Sequence, residues 1–81
     1  MPKATNGEVI IHYEDEGSGE PVLLIHGHTM DRRIWDPVMP GLRAAKLRIL
    51  RPDLRGHGLS ARPDFGYHLS HHASDMAAVF D

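Results

Sequence analysis

The chain has no cysteine. Disulfide bonds and zinc–thiolate sites are excluded, so a fold of only 81 residues has to rely on its core, on a metal held by histidine and carboxylate, or on association with other copies. Long hydrophobic runs are also missing. The runs present, Val22 to Ile25 among them, are far too short to cross a bilayer, and no membrane partner is expected. Charge of one sign is not in excess: 9 Lys and Arg against 11 Asp and Glu give a net charge of −2. The basic residues are scattered as Arg32-Arg33, Arg43, Arg48, Arg51 and Arg55, without a sustained patch, which argues against a nucleic-acid partner. Met1-Pro2-Lys3-Ala4-Thr5-Asn6 lacks the apolar segment of a signal peptide. The expectation is a soluble cytoplasmic protein with one domain over residues 1–81.

Several local patterns are legible. Asn6-Gly7 is a hairpin-turn signal between a short strand near residues 3–5 and a β-branched strand over residues 8–15. Gly17-Ser18-Gly19-Glu20-Pro21 is a loop. The continuous apolar run Val22-Leu23-Leu24-Ile25-His26 has the pattern of a strand covered on both faces. Ile34, Trp35, Val38, Met39 and Leu42 recur at helical spacing, with Pro37 in the first turn and Pro40-Gly41 as a break. Residues 47–51 read as a second central strand ended by Pro52, and residues 55–65 as a glycine-bearing loop. Leu69, His72, Ala73, Met76, Val79 and Phe80 share one helical face, with Ser70 as the cap. The order β-β-β-α-β-α predicts an α/β fold with a partly parallel sheet.

Taken in order, these pieces carry a resemblance. A Gly-x-Gly-x-Pro turn, an apolar strand, His26-Gly27, an aromatic on the next helix, and strand–Asp53-x-Arg55-Gly56-x-Gly58-x-Ser60 are similar to the N-terminal half of the α/β-hydrolase superfamily. The resemblance implies a half-domain of that fold, ending before the nucleophile elbow. It also implies that the loop at residues 27–29 supplies one oxyanion-hole N–H, with His28 as the donor. The second donor, the G-x-S-x-G nucleophile, the acid and the base come later in the family pattern. Within the chain, Gly58-Leu59-Ser60 lacks the closing glycine, and Ser60 reads as a loop-shaping hydroxyl. Gly56-x-Gly58-x-x-Ala61 spells a dinucleotide fingerprint, but Pro63-Asp64 follows where its helix should continue. Asp53 and Arg55 read as a loop-fixing ion pair, and Trp35 as core or pocket wall.

Seven histidines stand out. On this fold His26 and His28 follow one parallel strand, His57 follows its neighbour, and His68, His71 and His72 open the last helix. Only His12 lies elsewhere. Ligands bind at this carboxyl edge in open α/β sheets. Imidazoles with a carboxylate suit zinc or another borderline divalent ion, and zinc-bound water is a nucleophile near neutral pH. The candidate metal ligands are His26, His28, His57, His68 and His72, and the candidate catalytic residues are His28, His57 and Asp53. No organic cofactor is expected.

Three readings follow. The first is a minimal hydrolase that attacks small-molecule esters or phosphoesters with metal-activated water. The second is a catalytically inactive fragment serving as a binding or assembly module. The third is a non-catalytic oligomer stapled by a metal. In all three, the strand over residues 22–26 is an exposed apolar edge, which together with the apolar helix faces predicts a homo-oligomer.

Overall fold

The protein is described by a computed structural model over residues 2–64 and 66–80, so the predicted loop end at Phe65 lies outside the described residues. The elements are β1 (Lys3–Asn6), β2 (Val9–Glu16), β3 (Pro21–Leu23), a 3₁₀ helix (Arg32–Val38) running into α1 (Met39–Ala44), β4 (Arg48–Pro52) and α2 (Leu69–Phe80). One four-stranded sheet has the order β1-β2-β4-β3. The β1/β2 and β2/β4 pairs are antiparallel and β3/β4 is parallel, which is the α/β, partly parallel arrangement expected. None of the described helices is long and apolar enough to cross a membrane.

The first hairpin turns one residue later than its sequence signal suggests. Asn6 pairs with Val9, so Gly7 and Glu8 are the central pair, and Gly7 alone has positive φ (61°). That is the pattern with glycine first, rather than the one that needs left-handed backbone at both positions. Central β4 buries Ile49, Leu50, Arg51 and Pro52, as a strand between two neighbours should. Below the sheet, Ala4, Ile11 and Leu54 meet Met76 and Val79 of α2 in one cluster. The apolar face of α2 is narrower than its spacing predicted: Leu69 is 84% and Phe80 52% exposed.

Three expectations need correction. The predicted strand over residues 22–26 ends at Leu23, with one more bond from Leu24 N–H to Leu50 O at 2.9 Å. Beyond it the His26 ring, not the backbone, takes the next N–H of the neighbouring chain segment. Pro40 does not break its helix. It stands in the first turn of α1, where its missing N–H costs nothing. Ser70 is not the cap of α2, which begins at Leu69. His68 O accepts the His71 and His72 N–H groups at 2.9 and 3.3 Å, and His68 N–H donates to His71 Nδ1 at 3.3 Å. A side chain three residues into the helix thus returns to the capping position, as in a capping box.

Candidate active site

The loop after β4 is fixed by its own hydrogen bonds. Asp53 N–H donates to His12 O, His57 N–H to Leu54 O, Ser60 N–H to His57 O and Ala61 N–H to Ile10 O, all between 2.9 and 3.1 Å. Ser60 Oγ donates to Asp53 O at 2.6 Å and accepts His12 N–H at 2.9 Å. The Asp53 carboxylate is fully buried. Its oxygens accept the Arg32 N–H and Nη1 at 2.8 Å each and the Leu59 N–H at 3.0 Å. Gly58, with φ 51°, lies so close to this carboxylate that a Cβ would strike it, so the second glycine of the Gly56-x-Gly58 pair is a packing requirement. Arg55 turns the other way and forks onto Asp75 of α2 at 2.6 and 2.7 Å.

Asp75 is also fully buried and accepts Asn6 Nδ2 at 2.8 Å. Burial alone would raise its carboxyl, but the bonds from Arg55 and Asn6 outweigh that and hold it below the ordinary carboxylate value.

Two histidines connect the loop after β3 to this framework. His26 Nδ1 faces Gly27 O at 2.7 Å, and its Nε2 accepts Leu54 N–H at 2.9 Å. His57 Nδ1 faces Arg55 O at 2.9 Å, and its Nε2 accepts Thr29 N–H at 3.2 Å. A carbonyl on one side and an N–H on the other assign both rings to the neutral tautomer protonated at Nδ1. The rings lie 5.1 Å apart, and the His28 ring lies 5.4 Å from that of His57. Asp31 ends the loop by accepting Arg33 N–H at 2.8 Å. The Arg33 guanidinium and N–H hold the Asp31 carboxyl well below the usual carboxylate range.

Between the two loops is an open cleft of about 600 Å³, with His28, Thr29 and Asp31 on one wall and His57, Arg62 and Tyr67 on the other. Thr29 has left-handed backbone (φ 69°), an uncommon state for a β-branched residue. Its N–H is held by His57, and the next amide, Met30 N–H, by Gly27 O at 3.2 Å. The His28 N–H between Gly27 and Thr29 has no acceptor among the described residues.

Residues 22–81 match the model of the alpha/beta hydrolase family. The chain belongs to that family. It is 39% identical over 69 residues to a non-heme haloperoxidase of Rhodococcus erythropolis, covering 85% of this chain and 25% of that protein. It is 44% identical over 72 residues to haloalkane dehalogenase 2 of Mycobacterium tuberculosis, covering 88% and 25%. Among solved structures, it superposes on a bromoperoxidase from Bacillus anthracis with a TM-score of 0.91 and 36% identity, covering 98% of this chain and 29% of that one. An esterase from Exiguobacterium antarcticum gives 0.90 and 30%, covering 96% and 30%. The chain therefore spans roughly a quarter to a third of the length of these α/β hydrolases.

Within this α/β-hydrolase framework the candidate residues fall into three groups. His28 and His57 face one cleft. Asp53 lies beneath it, but its carboxylate is shut from solvent and fully engaged, which makes it a positioning group rather than a base or ligand. Nor does it pair with Arg55: the expected ion pair is replaced by Asp53–Arg32 and Arg55–Asp75. The five candidate metal ligands do not converge, and among the described residues no group of three or more His, Asp or Glu could hold a metal ion. His26 and His57 have both ring nitrogens in hydrogen bonds, and His68 stacks on His71. His72 faces a separate apolar cavity of about 530 Å³ with Ile25, Leu54, Leu69 and Met76. Its Nδ1 is buried without a partner, and burial pushes the ring below its ordinary pKa.

Sequence reasoning gave Arg32, Asp75 and Tyr67 no role at the site. Arg32 and Asp75 meet their partners 21 and 20 residues away, with no local spacing to signal it. Tyr67 accounts for Gly56, whose φ is 79° and where a Cβ would strike the Tyr67 ring.

Proposed function

We propose that these residues form the oxyanion side of a small-molecule hydrolase site, with the His28 N–H donating to the charge that develops on an ester carbonyl oxygen. The observation that supports it is the contrast between neighbouring amides: Thr29 and Met30 are tied down, while His28 has no acceptor among the described residues. A fixed, unfilled backbone donor needs no reorganisation as charge appears, and one such donor is worth about 3 kcal/mol of barrier. The relatives named as an esterase and as haloalkane dehalogenases favour a small substrate with an electrophilic carbon.

His57 acts in this reading as a positioning residue, since its ring nitrogens are occupied. Ser60 is buried and engaged at both its donor and its acceptor side, and no hydroxyl among the described residues is bonded to a histidine ring, so none of them is assigned as nucleophile. Attack by metal-bound water needs three protein ligands and an open position, and the donor set does not fit that requirement, so no step is routed through a metal.

The test combines turnover of p-nitrophenyl acetate, with and without chelator, and amide shift mapping with ethyl acetate. Shifts at His28 and Thr29 are expected, and whatever turnover there is should be indifferent to chelator. Ester binding that leaves the His28 amide unmoved overturns the reading, and binding at the loop without turnover marks a binding module instead.

A second copy pairing along β3 is proposed for the exposed face. The outer edge of β3 has no neighbouring strand among the described residues, and Ile25 (47% exposed) and Leu69 (84%) border the apolar cavity beside it. Uncharged apolar edges favour strand addition. A folded monomer in sedimentation velocity at micromolar concentration overturns this.

A further inference from the structure

We infer that the cleft selects substrates bearing a carboxylate, and that Arg62 is the residue that binds it. The inference rests on the reading of the cleft as the substrate site. Of the chain's arginines, six fork onto or pair with an acid: Arg32 with Glu14 and Asp53, Arg33 with Asp31, Arg43 with Glu16, Arg48 with Asp15, Arg51 with Glu14 and Asp36, and Arg55 with Asp75. Arg62 has no carboxylate partner among the described residues, and it lines the cleft beside His28 and His57.

Neither of the two acids that share a groove with Arg62 pairs with it among the described residues. Asp31 is neutralised by Arg33, and Glu8 makes no ion pair among the described residues. Tyr67, on the same wall, has its hydroxyl committed to Pro63 O at 2.5 Å.

The side chain is also held in place. Nη1 donates to Gly56 O at 3.0 Å and Nη2 to Gly58 O at 2.8 Å, the two carbonyls that flank His57. A guanidinium has more N–H donors than these two bonds use, so a carboxylate can still approach it. Anchoring the long side chain beforehand removes much of the entropy cost that a free arginine would meet on binding. Holding the loop alone does not require an unpaired charge at the cleft. An anionic ligand does use one, and charge-assisted bonds from arginine to carboxylate are among the stronger polar contacts.

The experiment is an amide shift titration of the 81-residue chain with sodium monomethyl succinate and, separately, dimethyl succinate. The two probes share the ester and differ in one negative charge. The wild-type chain is expected to bind the monoester about fivefold more tightly, with the preference fading as salt is added. Arg62→Gln should remove the preference, so that it no longer separates the monoester from the diester, and Arg62→Lys should keep part of it. Equal binding of both esters by the wild type overturns the inference, as does a preference that survives in Arg62→Gln. The wild-type comparison needs no variant to fold. Diester binding without preference leaves the cleft reading standing and sinks only the carboxylate. If neither ester moves the His28, Thr29 or His57 amides, the cleft reading falls and takes the inference with it.

Discussion

His57 Nε2 accepts the N–H of Thr29 at 3.2 Å, so one imidazole holds the middle of the loop whose left-handed residue is Thr29 itself. The loop is also closed by Met30 N–H on Gly27 O and tied at its ends by His26 on Leu54 N–H and Arg32 on Asp53. His57→Phe keeps a ring in place and removes both the acceptor for Thr29 and the Nδ1 bond to Arg55 O. Losing the Thr29 bond should raise hydrogen exchange at Thr29 about fivefold, with Leu54 protected as before. Unchanged exchange at Thr29 would show that the loop holds its shape without His57.

Gly58 and Gly7 both have positive φ, at 51° and 61°, yet they should respond differently to alanine. Nothing lies near a Cβ at Gly7, whereas one at Gly58 meets the Asp53 carboxylate. Gly7→Ala should cost about 1 kcal/mol, the backbone penalty alone. Gly58→Ala should cost about 3 kcal/mol, because the same strain is joined by displacement of a buried, fully bonded carboxylate. Urea denaturation of the two variants separates them, and equal losses would refute the packing role of Gly58.

Ser60 gives a related contrast between structure and chemistry. Its hydroxyl bridges His12 N–H and Asp53 O inside the loop. Ser60→Ala leaves both groups buried without it and should cost about 2 kcal/mol of stability. Turnover of p-nitrophenyl acetate per folded molecule should not change. A loss of turnover at full folding would return Ser60 to the list of reactive groups.

Much of this fold was legible because its signals are local. The β-branched run of β2, the glycines of both loops and the spacing of Met76 and Val79 each act within a few residues. The α/β order and the hydrolase resemblance follow from their sequence. The candidate site was legible only as a neighbourhood. That His28 and His57 share an edge follows from parallel strands, but what each ring nitrogen touches depends on loop geometry that no spacing encodes. The metal expectation finds no converging ligand group among the described residues for this reason. Five histidines near one edge look like a ligand set until His26 and His57 are seen bonded to backbone on both sides and His72 is seen turned into an apolar cavity. The Asp53–Arg55 pairing failed similarly. Residues two apart in sequence look like partners, while each finds its partner 21 or 20 residues away.

His72 and Asp75, one turn apart on α2, should give the protein two separate acid steps. His72 is held below its ordinary value of 6.5 by burial, with Arg55, His57 and His71 pushing the same way and Asp75 opposing. Between its folded value and 6.5 the unfolded chain binds more protons than the folded one, so stability falls as pH drops through that window and is level above it. Asp75 is held below its ordinary value of 3.8, so its contribution is full above that value and is lost as pH falls toward the folded one. The exposed pairs Asp15–Arg48 and Glu16–Arg43 share this lower window but not the upper one. His72→Leu should abolish the upper step and keep the lower. It should also stabilise the chain at neutral pH by about 1 kcal/mol, since the buried Nδ1 it removes has no partner. Asp75→Ala should keep the upper step, shrink the lower one to the part carried by the exposed acids Asp15, Glu16 and Asp31, and cost about 3 kcal/mol or more at neutral pH by leaving buried Arg55 without its partner. Urea midpoints from about pH 8 to about pH 3 test both variants, and an upper step that persists in His72→Leu would assign it to another histidine.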